Sequence, residues 1–352
     1  MTKITVQNIS KICSNKLSEK MPGANASSRL QKELDYIEKN EAYAEVFAVA
    51  SELVSYSREL GYYTGFHGCI GSSLIAFLLG ITEIDPLKYN LPVEVFMGIH
   101  NDKPLDIELM FDIQFLPMAK RYVQENHPNI AIIDRGERPT WLVFQGDATK
   151  CNTNKFDRKN AVKLSFWGSQ YYTALKELSD MTGIEIFRIP FDDKQTTEVL
   201  KNADIRYADE EPNEPELWRR SVTQIVNPKT FEELVQTAGW VHSTYRCAPK
   251  DIPNMPAFRD DVFLDMLRSG IDRATAYNIM EFVRKGKGLT EAYTSLLSDA
   301  GISEHYIDSL NQVQYLFPKA HCIALAMMEY RAAWFEAHYP EEFRKVMKRI
   351  RN

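Results

Sequence analysis

The hydrophobic pattern of this chain changes period partway along, and no other feature constrains its fold as much. Between about Val93 and Phe166, short runs rich in β-branched and aromatic residues recur at Val93–Gly98, Leu105–Phe111, Ile130–Asp134, Trp141–Phe144 and Ala161–Phe166. Runs of this length bounded by turn formers read as strands. Helical patterns flank them at Arg29–Leu60, where Val46, Phe47, Val49, Ala50, Leu53 and Val54 recur at helical spacing, at Phe115–Gln124, and at Gln170–Thr182 ahead of Gly183. Beyond Pro215 the period is helical throughout, punctuated near Asn227–Pro228, Pro249–Pro256, Gly286–Gly288 and Gly301. Strands early and helices late predict an α+β domain followed by an all-α one.

Turn-forming composition sets the expected boundaries. The stretch Met21–Ser28 closes a lead-in, residues 1–28, expected to be poorly ordered. The acidic, proline-bearing Asp209–Pro215 is the expected linker, which gives domains over 29–208 and 209–352. The apolar run Leu74–Leu79 is too short to cross a bilayer, and Met1–Ser18 lacks an apolar signal-peptide core. Five dispersed cysteines without a C-x-x-C pair point to reduced thiols in the cytoplasm and to no zinc site. A net charge of -6 argues against a strong sequence-independent grip on duplex DNA. The basic run Arg344, Lys345, Lys348, Arg349 and Arg351 fits a solvated helix end favoured by the macrodipole.

Two short motifs carry chemistry. Gly71-Ser72-Ser73 opens a helix-length apolar segment, so its backbone N–H groups form an anion site suited to a triphosphate. Asp106 and Glu108 lie two apart on a strand, which turns both carboxylates to one face where they can share divalent ions. Nucleotidyl transfer uses such a pair to activate a hydroxyl and stabilise pyrophosphate, and Mg²⁺ or Mn²⁺ suits it. Alone, the first motif is also an ordinary helix cap and the second a solvated sheet face.

The ordered combination, a hydrophobic-Gly-Ser turn and then a strand acid pair, resembles the polymerase β-like nucleotidyltransferase superfamily. Longer phrases resemble one family within reach of it: GCIGSSLIAFLLGITEIDPL (Gly68–Leu87), VEVFMGIHNDKPLDIELMF (Val93–Phe111), NPKTFEELVQTAGWVHST (Asn227–Thr244), RDDVFLDML (Arg259–Leu267), IMEFVRKGKGLT (Ile279–Thr290) and YIDSLNQVQYLFPKAH (Tyr306–His321). They are similar, in order, to the PolC-type alpha subunit of DNA polymerase III, a bacterial C-family replicative polymerase. The resemblance implies a polymerase β-like palm over 29–208, a mixed sheet with helices, followed by an all-α fingers-like domain. It implies primer-template DNA and deoxynucleoside triphosphates as partners, with other replication proteins. It also implies that Gly71, Ser72 and Ser73 contact the triphosphate, that Asp106 and Glu108 hold metal, and that Arg284, Lys285, Lys287, Lys319 and His321 lie in nucleotide-facing motifs. His321 reads equally as a packed helix histidine.

Departures from the family pattern weigh against activity. The second acid is Glu108 rather than aspartate, and the third acid, within a Lys-Leu-Asp strand, is matched by Ser165 after Lys163 and Leu164. A hydroxyl cannot hold Mg²⁺ as a carboxylate does, and loss of one member of a concerted set costs roughly 10³–10⁵ in rate. The family's phosphate-loop arginine is His67, and an aromatic is replaced by Leu325. The segment between Phe111 and Val162 is short, so the thumb is expected to be largely absent. Three readings stay open: a degenerate polymerase with weak or no nucleotidyl transfer, an active minimal enzyme in which Asp157 or another acid substitutes, and a non-catalytic interaction module of the replication machinery.

Overall fold

A computed structural model describes residues 5–20, 24–136, 138–145, 162–202 and 216–350. They fall into two compact units, Met1–Glu177 and Leu178–Asn352. The expected linker and the 208/209 boundary lie outside the described residues, as does Asp157.

The first unit begins with three helices, α1 (Val6–Lys20), α2 (Ala24–Ile37) and α3 (Glu41–Glu59). Strand β1 (Thr64–His67) and two single-turn helices, α4 (Leu74–Leu78) and α5 (Glu94–Met97), follow. Then come β2 (Asp106–Asp112), α6 (Leu116–Asn126), β3 (Ala131–Arg135), β4 (Arg138–Gln145), β5 (Val162–Ser169) and α7 (Gln170–Thr182). The strands form one mixed sheet in the order β1-β2-β5-β4-β3, with β2 and β5 parallel and the other pairs antiparallel. Strand alternation sorts β2 into two sets. Ile107, Leu109 and Phe111, with Leu164, Phe166 and Leu142, are fully buried. A run of ring contacts, Phe166 to Phe111 to Phe115 to Tyr56, ties that face to α3. The opposite face carries the candidate site.

Three local expectations change. The lead-in expected to be poorly ordered forms α1 over Val6–Lys20, because Ile9, Cys13 and Leu17 make a stripe at helical spacing that is buried against α2, α3 and α4. Burial and the nearby Glu33 push the Cys13 thiol up to about 12. Val93–Gly98, expected as a strand, contains α5. Its Val95, Phe96 and Met97 are all buried, and a short run buried on every side does not reveal its period. The glycine-rich stretch before Ser73 contributes β1, whose Gly65 lies against Tyr172: a Cβ there would meet the Tyr172 hydroxyl at 2.1 Å.

The second unit contains α8 (Lys194–Asn202), α9 (Glu216–Val226), α10 (Phe231–His242), β6 (Thr244–Tyr245), α11 (Arg259–Arg268) and α12 (Arg273–Val283). It continues with α13 (Glu291–Asp299), α14 (Glu304–Gln312), β7 (Val313–Tyr315), α15 (Lys319–His338) and α16 (Pro340–Ile350). Helix α15 is apolar on nearly all sides and packs against α8, α10 and α16, so it is the core of the unit. The half expected to be wholly helical also holds a two-stranded ribbon, in which β6 and β7 supply each other's backbone partners. On α16, Phe343, Val346 and Met347 are buried, while Arg344, Lys345, Lys348 and Arg349 are exposed; Arg351 lies outside the described residues.

Candidate functional site

Pairing in the sheet sets the site geometry. Glu108 pairs with His67 on one side and with Ser165 on the other, and Asp106 pairs with Lys163. All five side chains therefore project from the face opposite α3. Asp106 is largely exposed, whereas Glu108 is partly buried and Ser165 fully buried. An ionised carboxylate only accepts, so His67 Nδ1 carries the proton it donates to Glu108 Oε2 at 2.9 Å. Lys163 Nζ donates to Ser165 Oγ at 3.0 Å and lies 3.6 Å from Asp106 Oδ1. The same ammonium is 5.1 Å from the centre of the Trp141 ring, over which the Arg135 guanidinium sits at 3.9 Å.

This donor set does not fit a two-metal pair. Two carboxylates, Asp106 and Glu108, share this face, and the β5 position beside Glu108 presents a buried hydroxyl that accepts from an ammonium. Among the described residues, no cluster of three His, Cys, Asp or Glu side chains is placed to hold a metal ion.

The expected phosphate loop is brought next to this face, since Ile70–Ser72 packs on β1 and β2. Its serine amides and those that follow are committed within the chain. Those of Ser72 and Ser73 donate to the Cys69 and Ile70 carbonyls, and the amide of Ala76 donates to Ser73 Oγ. The amides of Leu74 and Ile75 donate to the buried Glu33 carboxylate at 2.9 and 3.1 Å, as Ser73 Oγ does at 2.7 Å. Arg29 donates to the same carboxylate at 2.7 Å and to the Leu91 carbonyl at 3.2 Å. The N-terminus of α4 thus receives its negative charge from within the chain. Among the described residues, the buried Ser72 Oγ finds no hydrogen-bond partner.

The cationic residues expected to face a nucleotide lie in the second unit. Arg284 and Lys285 both pair with Glu281, Lys285 at 2.6 Å, and Lys287 sits over the Phe282 ring at 5.1 Å. Lys319 is 3.8 Å from Asp261 and lies over Phe258. His321 is fully buried and stacks on Phe317 with ring centres 5.3 Å apart, which is the packed alternative allowed for it. Leu325 is also buried.

Glu33, Lys163 and Trp141 were not singled out as members of the site from sequence. The alternation Lys163–Ser165 on one strand carries a signal for the lysine. Glu33 and Trp141 carry none, because their places depend on contacts distant in the chain.

A family model described as the bacterial DNA polymerase III alpha NTPase domain matches residues 3–133. The PolC-type DNA polymerase III of Listeria monocytogenes is 28% identical over 467 residues, covering 96% of this chain and 32% of its own length. Those of Caldanaerobacter subterraneus and Bacillus subtilis are each 26% identical, covering 90% and 89% of this chain. The chain spans about a third of the length of these curated relatives. The Listeria alignment is longer than the whole 352-residue chain, so that relative holds segments with no counterpart here. Among the described residues, no helix is long and apolar enough to cross a membrane. In order along nine-tenths of its length, and by the family-model match over residues 3–133, the chain is similar to PolC-type DNA polymerase III.

Proposed function

We propose that this chain is a palm-and-fingers derivative of a PolC-type polymerase in which nucleotidyl transfer is weak or lost. The observation that carries this reading is the register of β2 and β5: Ser165 stands directly beside Glu108, fully buried, with Lys163 bonded to its hydroxyl. A third carboxylate at that strand position would complete the acid set, and the serine leaves it short. In this reading residues 29–208 are the palm-like part, without most of a thumb, and 209–352 the fingers-like part. Mg²⁺ or Mn²⁺ would be held only by Asp106 and Glu108. Primer-template DNA and deoxynucleoside triphosphates are the partners that similarity to polymerases suggests, and replication proteins are the natural context.

Primer extension on a recessed duplex with Mg²⁺ and with Mn²⁺ tests the reading. The native protein is expected to add no nucleotide, and S165D to recover measurable addition. Robust extension by the native protein would overturn it. Thermal stabilisation by a deoxynucleoside triphosphate is a second readout: a shift favours retained nucleotide binding over a purely structural module.

A further inference from the structure

We propose that Lys163 is the resident cation of the Asp106–Glu108 face, its ammonium standing where a divalent ion would otherwise neutralise the two carboxylates. The inference deepens the reading above and rests on it. It follows from how fixed the ammonium is. Lys163 has a hydrogen-bond acceptor in Ser165 Oγ at 3.0 Å, a carboxylate in Asp106 at 3.6 Å and an aromatic face in Trp141 at 5.1 Å. Its side chain is only 16% exposed. A lysine that merely snorkels along a sheet keeps its head in water, whereas this head is tied down on three sides.

Both carboxylates have partners in the same arrangement. Asp106 has the ammonium, and Glu108 has the His67 N–H at 2.9 Å. A divalent ion seated between the two carboxylates would lie within a few ångströms of a fixed positive charge. That repulsion, even well screened, lowers its affinity by about tenfold or more. Ser165 is what lets the lysine settle: a neutral acceptor at that place holds the ammonium toward Asp106, where a carboxylate would compete for it. Each carboxylate thereby has a partner without added metal, and the integrity of the face is independent of Mg²⁺ or Mn²⁺.

The test is a titration of the full chain with Mn²⁺ alone, read by loss of the free-ion electron paramagnetic resonance signal and by thermal melting. The native protein and K163R are expected to bind Mn²⁺ only weakly, with no metal-dependent shift in melting. K163M, with Asp106 left without its ammonium, is expected to bind at least about tenfold more tightly and to melt higher with Mn²⁺. D106N added to K163M is expected to abolish the gain. Equal Mn²⁺ affinity in native protein and K163M would overturn the proposal. So would tight native binding that D106N removes, a result that holds even if K163M fails to fold. Primer extension separates the two claims. Tight native Mn²⁺ binding without synthesis sinks the lysine's role alone, whereas native synthesis sinks the reading of lost transfer.

Discussion

The Glu33 carboxylate accepts from Arg29, from the Ser73 hydroxyl and from the amides of Leu74 and Ile75 while being 1% exposed. It occupies the turn that resemblance assigns to a triphosphate, and it organises Gly71-Ser72-Ser73 into a closed cap. Removing it leaves a mostly buried guanidinium without its counter-charge and several donors without their acceptor, so E33A is expected to destabilise the protein by about 3 kcal/mol in urea unfolding. A change within about 0.5 kcal/mol would show that the cap is re-formed by water. Ser165 sits at the same scale but acts in the opposite sense. It is a neutral acceptor on a face that already has a lysine, and the sheet pairs around it without interruption.

Among elements, the KGKG turn after α12 shows why long motifs are legible where single residues are not. Gly286 and Gly288 both have left-handed backbones, with φ of 67° and 70°. A Cβ on Gly286 would also meet the Gln314 carbonyl of β7 at 2.4 Å, whereas one on Gly288 would meet only the Asn311 side chain at 3.3 Å. G286A is therefore expected to cost more than about 2 kcal/mol and G288A about 1 kcal/mol, measured by chemical denaturation. Equal costs would contradict this account of the turn. The phrases around RDD and FPKAH owe their spacing to a similar meeting. The Asp260 carboxylate accepts from the Lys319 amide at the start of α15, and Arg259 donates to the Leu316 carbonyl. Sequence pattern revealed β2 to β5 within three residues at each end and matched α7, because their periodicities are clear. It missed α1 and α5, whose burial depends on packing against distant elements, and it missed Glu33, whose partners lie some forty residues away. The Asp106–Glu108 pair was legible from strand alternation, which also put Lys163 on one face with Ser165; that the lysine faces Asp106 came only from the register of β5 on β2.

For the molecule as a whole, two carboxyls give stability an opposed pH dependence. Burial raises Asp261 to about 6, with Lys319 opposing the rise. Its folded value lies above its unfolded one, so the stability it contributes is full below about pH 4 and is lost as pH rises through 6. Water around the partly exposed side chain moderates the size of this effect. Burial also acts to raise Glu281, yet hydrogen bonds from Arg284 and Lys285 overcome it and bring the carboxyl to about 2. The stability it contributes is present above its unfolded value and is lost as pH falls toward 2. Unfolding free energy against pH is expected to fall less between pH 4 and 6 in D261N, and to fall less below about pH 4.5 in E281Q. Unchanged profiles would contradict these assignments. The central claim is that a polymerase-derived face, short of one acid and balanced by its own lysine, no longer supports metal-dependent synthesis. The most direct measurement is the single-turnover rate of nucleotide incorporation by the native chain at saturating Mn²⁺, with D106N alongside. The account predicts that both equal the rate without protein; incorporation by the native chain that D106N abolishes would contradict it.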